Sequence, residues 1–136
     1  MPLDVPNLHT PGRKLYYAFD VNRAWIVQYA ETYWDDYMGT DVEEVEDDAK
    51  ISSAIYMLIT RTGVSNMTFG LGLPNDTSAA NGTTTVTDGR VTVPLITVCS
   101  SRRGSYLCRP TQAQFDRLEG IVGRRAHWWI DAEPDY

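Results

Sequence analysis

The spacing of apolar residues changes period several times along the chain, and each change predicts an element. Residues 1–13 show no period and carry Pro2, Pro6, Pro11 and Gly12, which predicts an extended arm. Residues 14–19 alternate, with Leu15, Tyr17 and Phe19 on one face, the pattern of a short strand. Asp20 then stands as an N-cap before Trp25, Ile26, Tyr29, Ala30, Tyr33, Trp34 and Tyr37, which recur at spacings of three and four until Gly39. That predicts an amphipathic helix with a wide aromatic stripe. Asp41 and Glu44 form a capping-box pattern ahead of Ile51, Ala54, Ile55, Leu58 and Ile59, and Gly63 ends this second helix. So short a connection predicts an αα-hairpin.

From Ser65 the period becomes two. Met67, Phe69, Leu71 and Leu73 share one face, while Thr68, Gly70 and Gly72 take the other, and Pro74 stops the strand. The glycine face predicts close packing of another backbone or a large aromatic. Residues 75–82 read as a polar loop. Beyond it, residues 83–87 and 90–98 flank Asp88-Gly89, a strong hairpin signal. Pro94 puts the second strand at an edge or on a bulge. Arg102, Arg103 and Gly104 suggest another turn before a short strand at 105–108. Thr111 and Gln114 form a second capping box, and Phe115, Leu118, Val122, Ala126 and Trp129 trace a helical face. The expected architecture is α+β: an N-terminal strand and αα-hairpin, an antiparallel β-meander, and a C-terminal amphipathic helix packed on the sheet. Residues 1–136 read as a single domain, with no internal repeat.

Composition adds one thing that periodicity does not show. The chain has 136 residues and a net charge of -6, from 12 Lys and Arg against 18 Asp and Glu. Residues 1–48 contain eleven acids and three cations, a balance of -8, whereas residues 101–125 contain six arginines and two acids, a balance of +4. The net acidity disfavours a nucleic-acid partner. A protein partner that is itself acidic, or the acidic half of a second copy, matches the Arg-rich end better. Trp, Tyr and Arg are also the residue types that anchor interfaces. The candidate interaction residues are Arg102, Arg103, Arg109, Arg117, Arg124, Arg125, Tyr106, Trp128 and Trp129 at the basic end, and Glu43, Glu44, Asp47 and Asp48 in the acidic run.

Candidate chemistry is sparse. The acidic run lies at a helix N-terminus, where the macrodipole stabilises carboxylates without a metal, and its spacing matches no metal loop, so none is assigned. Cys99 and Cys108 flank an eight-residue segment that a hairpin could close into a bridge, yet two buried thiols fit as well. No nucleophile elbow, zinc motif or phosphate-cradling loop occurs, and no cofactor is expected. His127 with Arg124 three residues before it and Asp131 four after it would, on one helix, form a grouping compatible with phosphodiester hydrolysis. The order of a helix, a Gly70-Leu-Gly-Leu strand, a glycine-bearing hairpin and a capped C-terminal helix with a Trp pair resembles mushroom ribotoxin-like ribonucleases. Residues 91–98 carry no charge, where that resemblance would imply a strand bearing Arg and Asp, so membership is not assigned.

The leading expectation is therefore a non-catalytic interaction or assembly module, such as a viral structural or accessory protein or an immunity-type protein, acting with a protein partner or by self-association. The alternative is a small ribonuclease-like hydrolase or toxin using His127. No apolar run is long enough for a membrane span and no leader pattern opens the sequence, so a cytoplasmic or virion location is expected.

Overall fold

The computed structural model describes residues 14–38, 44–101 and 109–132. The arm at 1–13, the turn at 102–104 and the strand at 105–108 lie outside the described residues. Within them the chain runs β1 (Leu15–Asp20), α1 (Arg23–Tyr37), α2 (Asp47–Thr62), β2 (Thr68–Gly72), α3 (Asp76–Asn81), β3 (Thr85–Thr87), β4 (Arg90–Ser100), α4 (Gln112–Val122) and β5 (His127–Ile130). This is an α+β fold with an antiparallel sheet.

The helices follow the apolar periodicity. On α1 the aromatic stripe buries Ile26, Tyr29, Ala30 and Trp34, and on α2 Ile51, Ala54, Ile55 and Leu58 are buried together with Met57. Arg23 Nη2 lies 2.7 Å from Asp48 Oδ1, so the start of α2 sits beside the start of α1. Further along, Lys50 Nζ approaches Glu31 at 3.3 Å, and Arg61 donates to the Tyr29 hydroxyl at 2.6 Å while lying over the Tyr33 ring. On α4 the expected capping box is complete: Thr111 Oγ1 accepts from the Gln114 N–H, and Gln114 Oε1 from the Thr111 N–H.

Three local expectations are corrected. The first is Asp20, which does not cap α1; Asn22 precedes the helix, without a side-chain cap bond, and Asp20 ends β1. α2 begins at Asp47, so Glu44 is not its capping partner, and Asp41 lies outside the described residues. Residues 75–82 are not all loop. Asn75 and Ser78 make a reciprocal cap for the short α3, which Gly82 ends.

The C-terminal helix also stops earlier than its apolar face suggests. Gly123 adopts φ +78°, a left-handed stop that releases Ala126 and Trp129 from the helix. The aromatic and β-branched run His127-Trp-Trp-Ile130 then forms β5, paired antiparallel with β1 from Leu15↔Ile130 to Ala18↔His127.

The sheet is not a sequential meander, because its order is β2-β4-β1-β5, with the N-terminal strand inside it. β1 pairs with β4 through a register shift between Tyr17 and Ala18. The eleven-residue β4 serves two partners in turn. Its first residues pair with β3, Thr85↔Thr92 to Thr87↔Arg90, and its middle pairs with β2, Thr68↔Thr97 to Gly72↔Val93. Asp88 (φ 51°) and Gly89 (φ 75°) make the tight turn that the Asp-Gly pair predicts.

Two cores result. Helices α1, α2 and α4 cover one face, where Phe115 stacks on Tyr17 and Phe19, each at 5.6 Å, beside Ile26, Trp34, Leu58, Ile96 and Leu118. On the opposite face Ala18, Val93, Leu95 and Trp129 form a second cluster, with Tyr16 packed against it. This face closes on itself at one end, because Gly72 bridges Asp131, the Leu73 N–H donates to the Ile130 carbonyl (2.9 Å) and the Ala132 N–H to the Leu71 carbonyl (3.0 Å).

The glycine face of β2 is close-packed, as its sequence implies. A Cβ on Gly72 would lie 2.8 Å from Leu95 Cδ1, and Leu95 is fully buried, whereas one on Gly70 would meet Thr97 at an ordinary 3.4 Å. Gly72→Ala is expected to destabilise the protein by about 1–3 kcal/mol through overpacking. Gly70→Ala is expected to change stability by less than about 1 kcal/mol. Urea unfolding of the two variants checks this, and equal losses would contradict it.

Candidate interaction surface

The placement of the candidate residues starts from Asp20, whose side chain is 0% exposed at the end of β1. A buried carboxylate is tolerable only when its oxygens are satisfied. Asn81 Nδ2 donates to both oxygens at 3.2 and 2.9 Å, and Thr83 Oγ1 donates to Oδ2 at 2.7 Å. Arg124 Nη1 donates to the Asp20 backbone carbonyl at 3.1 Å and lies 3.8 Å from Oδ2. Asp20 thereby ties the end of α3 and the segment after α4 to the central strand.

This arrangement separates the His127, Arg124 and Asp131 grouping. Its premise was helical spacing, and residues 127–130 are a strand. Four residues of strand span about 13 Å, with Trp129 between His127 and Asp131 on the same face. His127 is exposed, Arg124 is held on Asp20, and Asp131 accepts from the Tyr16 hydroxyl at 3.2 Å. Burial and the Asp131 carboxylate push the Tyr16 hydroxyl above the ordinary tyrosine range, while Lys14 opposes them.

The Trp pair is likewise placed by the strand. Successive strand residues face opposite ways, so both rings find cover. Trp128 packs on Tyr17 at 5.2 Å in the helix-side core, and Trp129, 1% exposed, donates its indole N–H to the Ala18 carbonyl. In this fold Trp129 offers no surface to a partner.

Among the arginines, Arg117 donates to the Thr62 carbonyl at the end of α2, where Gln114 also reaches the Gly63 carbonyl. Arg109 and Arg125 are exposed, while Arg102, Arg103 and Tyr106 lie outside the described residues. Of the acidic run, Glu44, Asp47 and Asp48 are exposed, Asp48 pairs with Arg23, and Glu43 lies outside the described residues. The described residues contain no group of three His, Cys, Asp or Glu side chains placed to hold a metal ion. Cys99 is a buried free thiol, pushed up to about 11 by burial, with Arg109 acting the other way; Cys108 lies outside the described residues.

Two surface features that the charge reading passed over lie on the β3–β4 hairpin. Helices cover only part of the sheet. Beyond them, Phe69, Leu71 and Pro94 floor a cleft of about 440 Å³, walled by Thr85 and Thr92 and rimmed by Arg23, Asp88 and Arg90. The other feature is the cross-strand pair Val86↔Val91, 67% and 43% exposed. Alternation along residues 85–87 and 90–92 contained this signal, since it puts the two valines on one face.

Comparison with protein-family models, curated proteins and solved structures finds no match for this chain.

Two outcomes follow from the buried groups. Asp20→Ala removes the carboxylate that accepts from Asn81 and Thr83 and faces Arg124, and is expected to cost about 3 kcal/mol, with Asp20→Asn less damaging, as read by thermal unfolding. For Cys99, a thiol whose folded value exceeds its unfolded value stabilises the fold below the unfolded value, near 9. That contribution is lost as pH rises through about 11. Iodoacetamide at pH 8 should therefore label Cys99 only after unfolding, as peptide mapping by mass spectrometry would show.

Proposed function

We propose that the chain is a non-catalytic protein-interaction module that assembles with further copies of itself. The observation that carries this reading is the exposed Val86–Val91 pair on the β3–β4 hairpin. Among the described residues β3 has β4 as its one strand neighbour, so its other edge presents backbone donors and acceptors to a new strand. Antiparallel pairing of β3 with β3 of a second copy would satisfy those groups and bring Val86 opposite Val86. Such a contact is self-complementary and closes as a two-fold dimer. It replaces the head-to-tail pairing of acidic and basic ends as the favoured contact, since Asp48, Arg117 and Arg124 already have partners within the chain. A subunit of this kind fits a viral structural or accessory protein in the cytoplasm or a virion. An immunity-type protein would turn the same hairpin toward a foreign chain.

Light scattering after size-exclusion chromatography tests the reading. Self-association is expected at low and moderate salt alike, because the contact is apolar and backbone-mediated. The double variant Val86→Asp, Val91→Asp is expected to weaken it tenfold or more, by roughly the lost burial of two valines, with unchanged circular dichroism. A monomer at high concentration would overturn the proposal, and association that vanishes with salt would favour the charge-driven contact instead.

A further inference from the structure

Asn81 donates to the buried Asp20 carboxylate, and it is also the one asparagine of the chain followed by glycine. An Asn-Gly pair has a reaction of its own, because a residue without a Cβ leaves its backbone nitrogen free to approach the preceding side-chain amide. The surroundings of this pair leave room for it. Asn81 and Gly82 are exposed, and a Cβ on Gly82 would meet nothing within 4 Å. They close the six-residue α3, far shorter than the roughly 12–15 residues at which a helix becomes stable by itself in water. The Gly82 N–H is loosely held, 3.4 Å from the Ala79 carbonyl, and it shares the Ser78 carbonyl with the Thr83 N–H.

We propose that Asn81 is a deamidation site, and that its conversion to a carboxylate unlocks α3 from the central strand. When the last turn of α3 opens, the Gly82 nitrogen gives up its proton to hydroxide and its electron pair forms a bond to Asn81 Cγ. The Cγ–Nδ2 bond breaks, and Nδ2 leaves as ammonia with a proton from solvent. Water then opens the cyclic imide at either carbonyl, giving aspartate or its β-linked isomer, with one water consumed and no change of oxidation state. The product cannot re-form the lock. An amide that donates to both Asp20 oxygens, at 3.2 and 2.9 Å, becomes a group that only accepts, so two carboxylates face each other where Asp20 is fully buried. Arg124 brings one positive charge to that pair, 3.8 Å from Asp20 Oδ2, against two negative ones. α3 then stays detached. The stretch it tethers leads through Thr83 into β3, so the reaction is a one-way timer on the connection between β2 and β3, whether or not β3 pairs with a second copy.

Peptide mapping by mass spectrometry, on the whole chain aged in warm buffer at pH 8, tests the reaction. The mass gain of an amide-to-acid exchange is expected at Asn81 ahead of Asn22, Asn66 and Asn75, with isoaspartate beside aspartate. Hydrogen exchange on Asn81→Asp tests the consequence. The amides of Ser78, Ala79 and Thr83 are expected to exchange about tenfold faster or more, while those of α1 keep their protection. The double variant Asp20→Asn, Asn81→Asp again sets an amide opposite a carboxylate, and protection should return. No exchange at Asn81 over a period in which the urea-unfolded chain converts it would overturn the proposal, because the lock would then close the site to the reaction. So would an Asn81→Asp variant with α3 as protected as in the parent, or a double variant no better protected than Asn81→Asp.

Discussion

Enclosing Trp129 is the constraint on which the rest of this fold depends. A four-strand path curls far enough to bring Gly72 against Asp131 only if the residues inside the curl are small where strands approach closely. Gly70 and Gly72 on β2 and Ala18 on β1 meet that requirement, and Trp129, Val93 and Leu95 fill what remains. The indole N–H finds the Ala18 carbonyl, so the largest side chain in the interior leaves no polar atom unsatisfied. With one face closed on itself, the helices can gather on the other. That division puts Phe115 on Tyr17 and Phe19, while β3 is the strand that pairs with the far end of β4 among the described residues.

Where one face of an element met one core, the sequence was readable. The stripes of α1 and α2, the Thr111 and Gln114 cap, the Asp88-Gly89 turn and the close-packed glycine face of β2 follow from spacing or local chemistry, and the structure contains each of them. Long-range pairing decided the parts that were not readable. Ala126 and Trp129 continue a helical spacing from Phe115 by coincidence, and the left-handed Gly123 with a free edge on β1 draws them into a strand. Asp20 has the composition of a cap, but the donors Asn81 and Thr83, some sixty residues later, claim its carboxylate. Nothing within a helical turn of Asp20 announces either partner.

The charge asymmetry was legible as arithmetic, and the structure shows which of its charges have partners within the chain. The acidic and basic segments meet once among the described ion pairs, at Asp20 with Arg124; Asp48 pairs with Arg23 within the acidic segment, and Arg117 donates to the carbonyl end of α2. Trp128 and Trp129 carry the same lesson, since residue types that anchor interfaces also anchor interiors. Among the described residues an exposed apolar pair lies elsewhere, Val86 and Val91 on the β3–β4 hairpin.

That hairpin extends past the helical layer because β4 is eleven residues long while β2 pairs with only its middle. Strand alternation then gives the extension two unlike faces: Val86 and Val91 on one side, and Thr85, Arg90 and Thr92 on the other beside Phe69, Leu71 and Pro94. The first is an exposed apolar pair, the surface character of a flat contact. The other is concave, with Arg23, Asp88 and Arg90 among the residues that line it. Since both faces belong to the same two strands, a contact that straightens or twists the hairpin alters the cleft behind it.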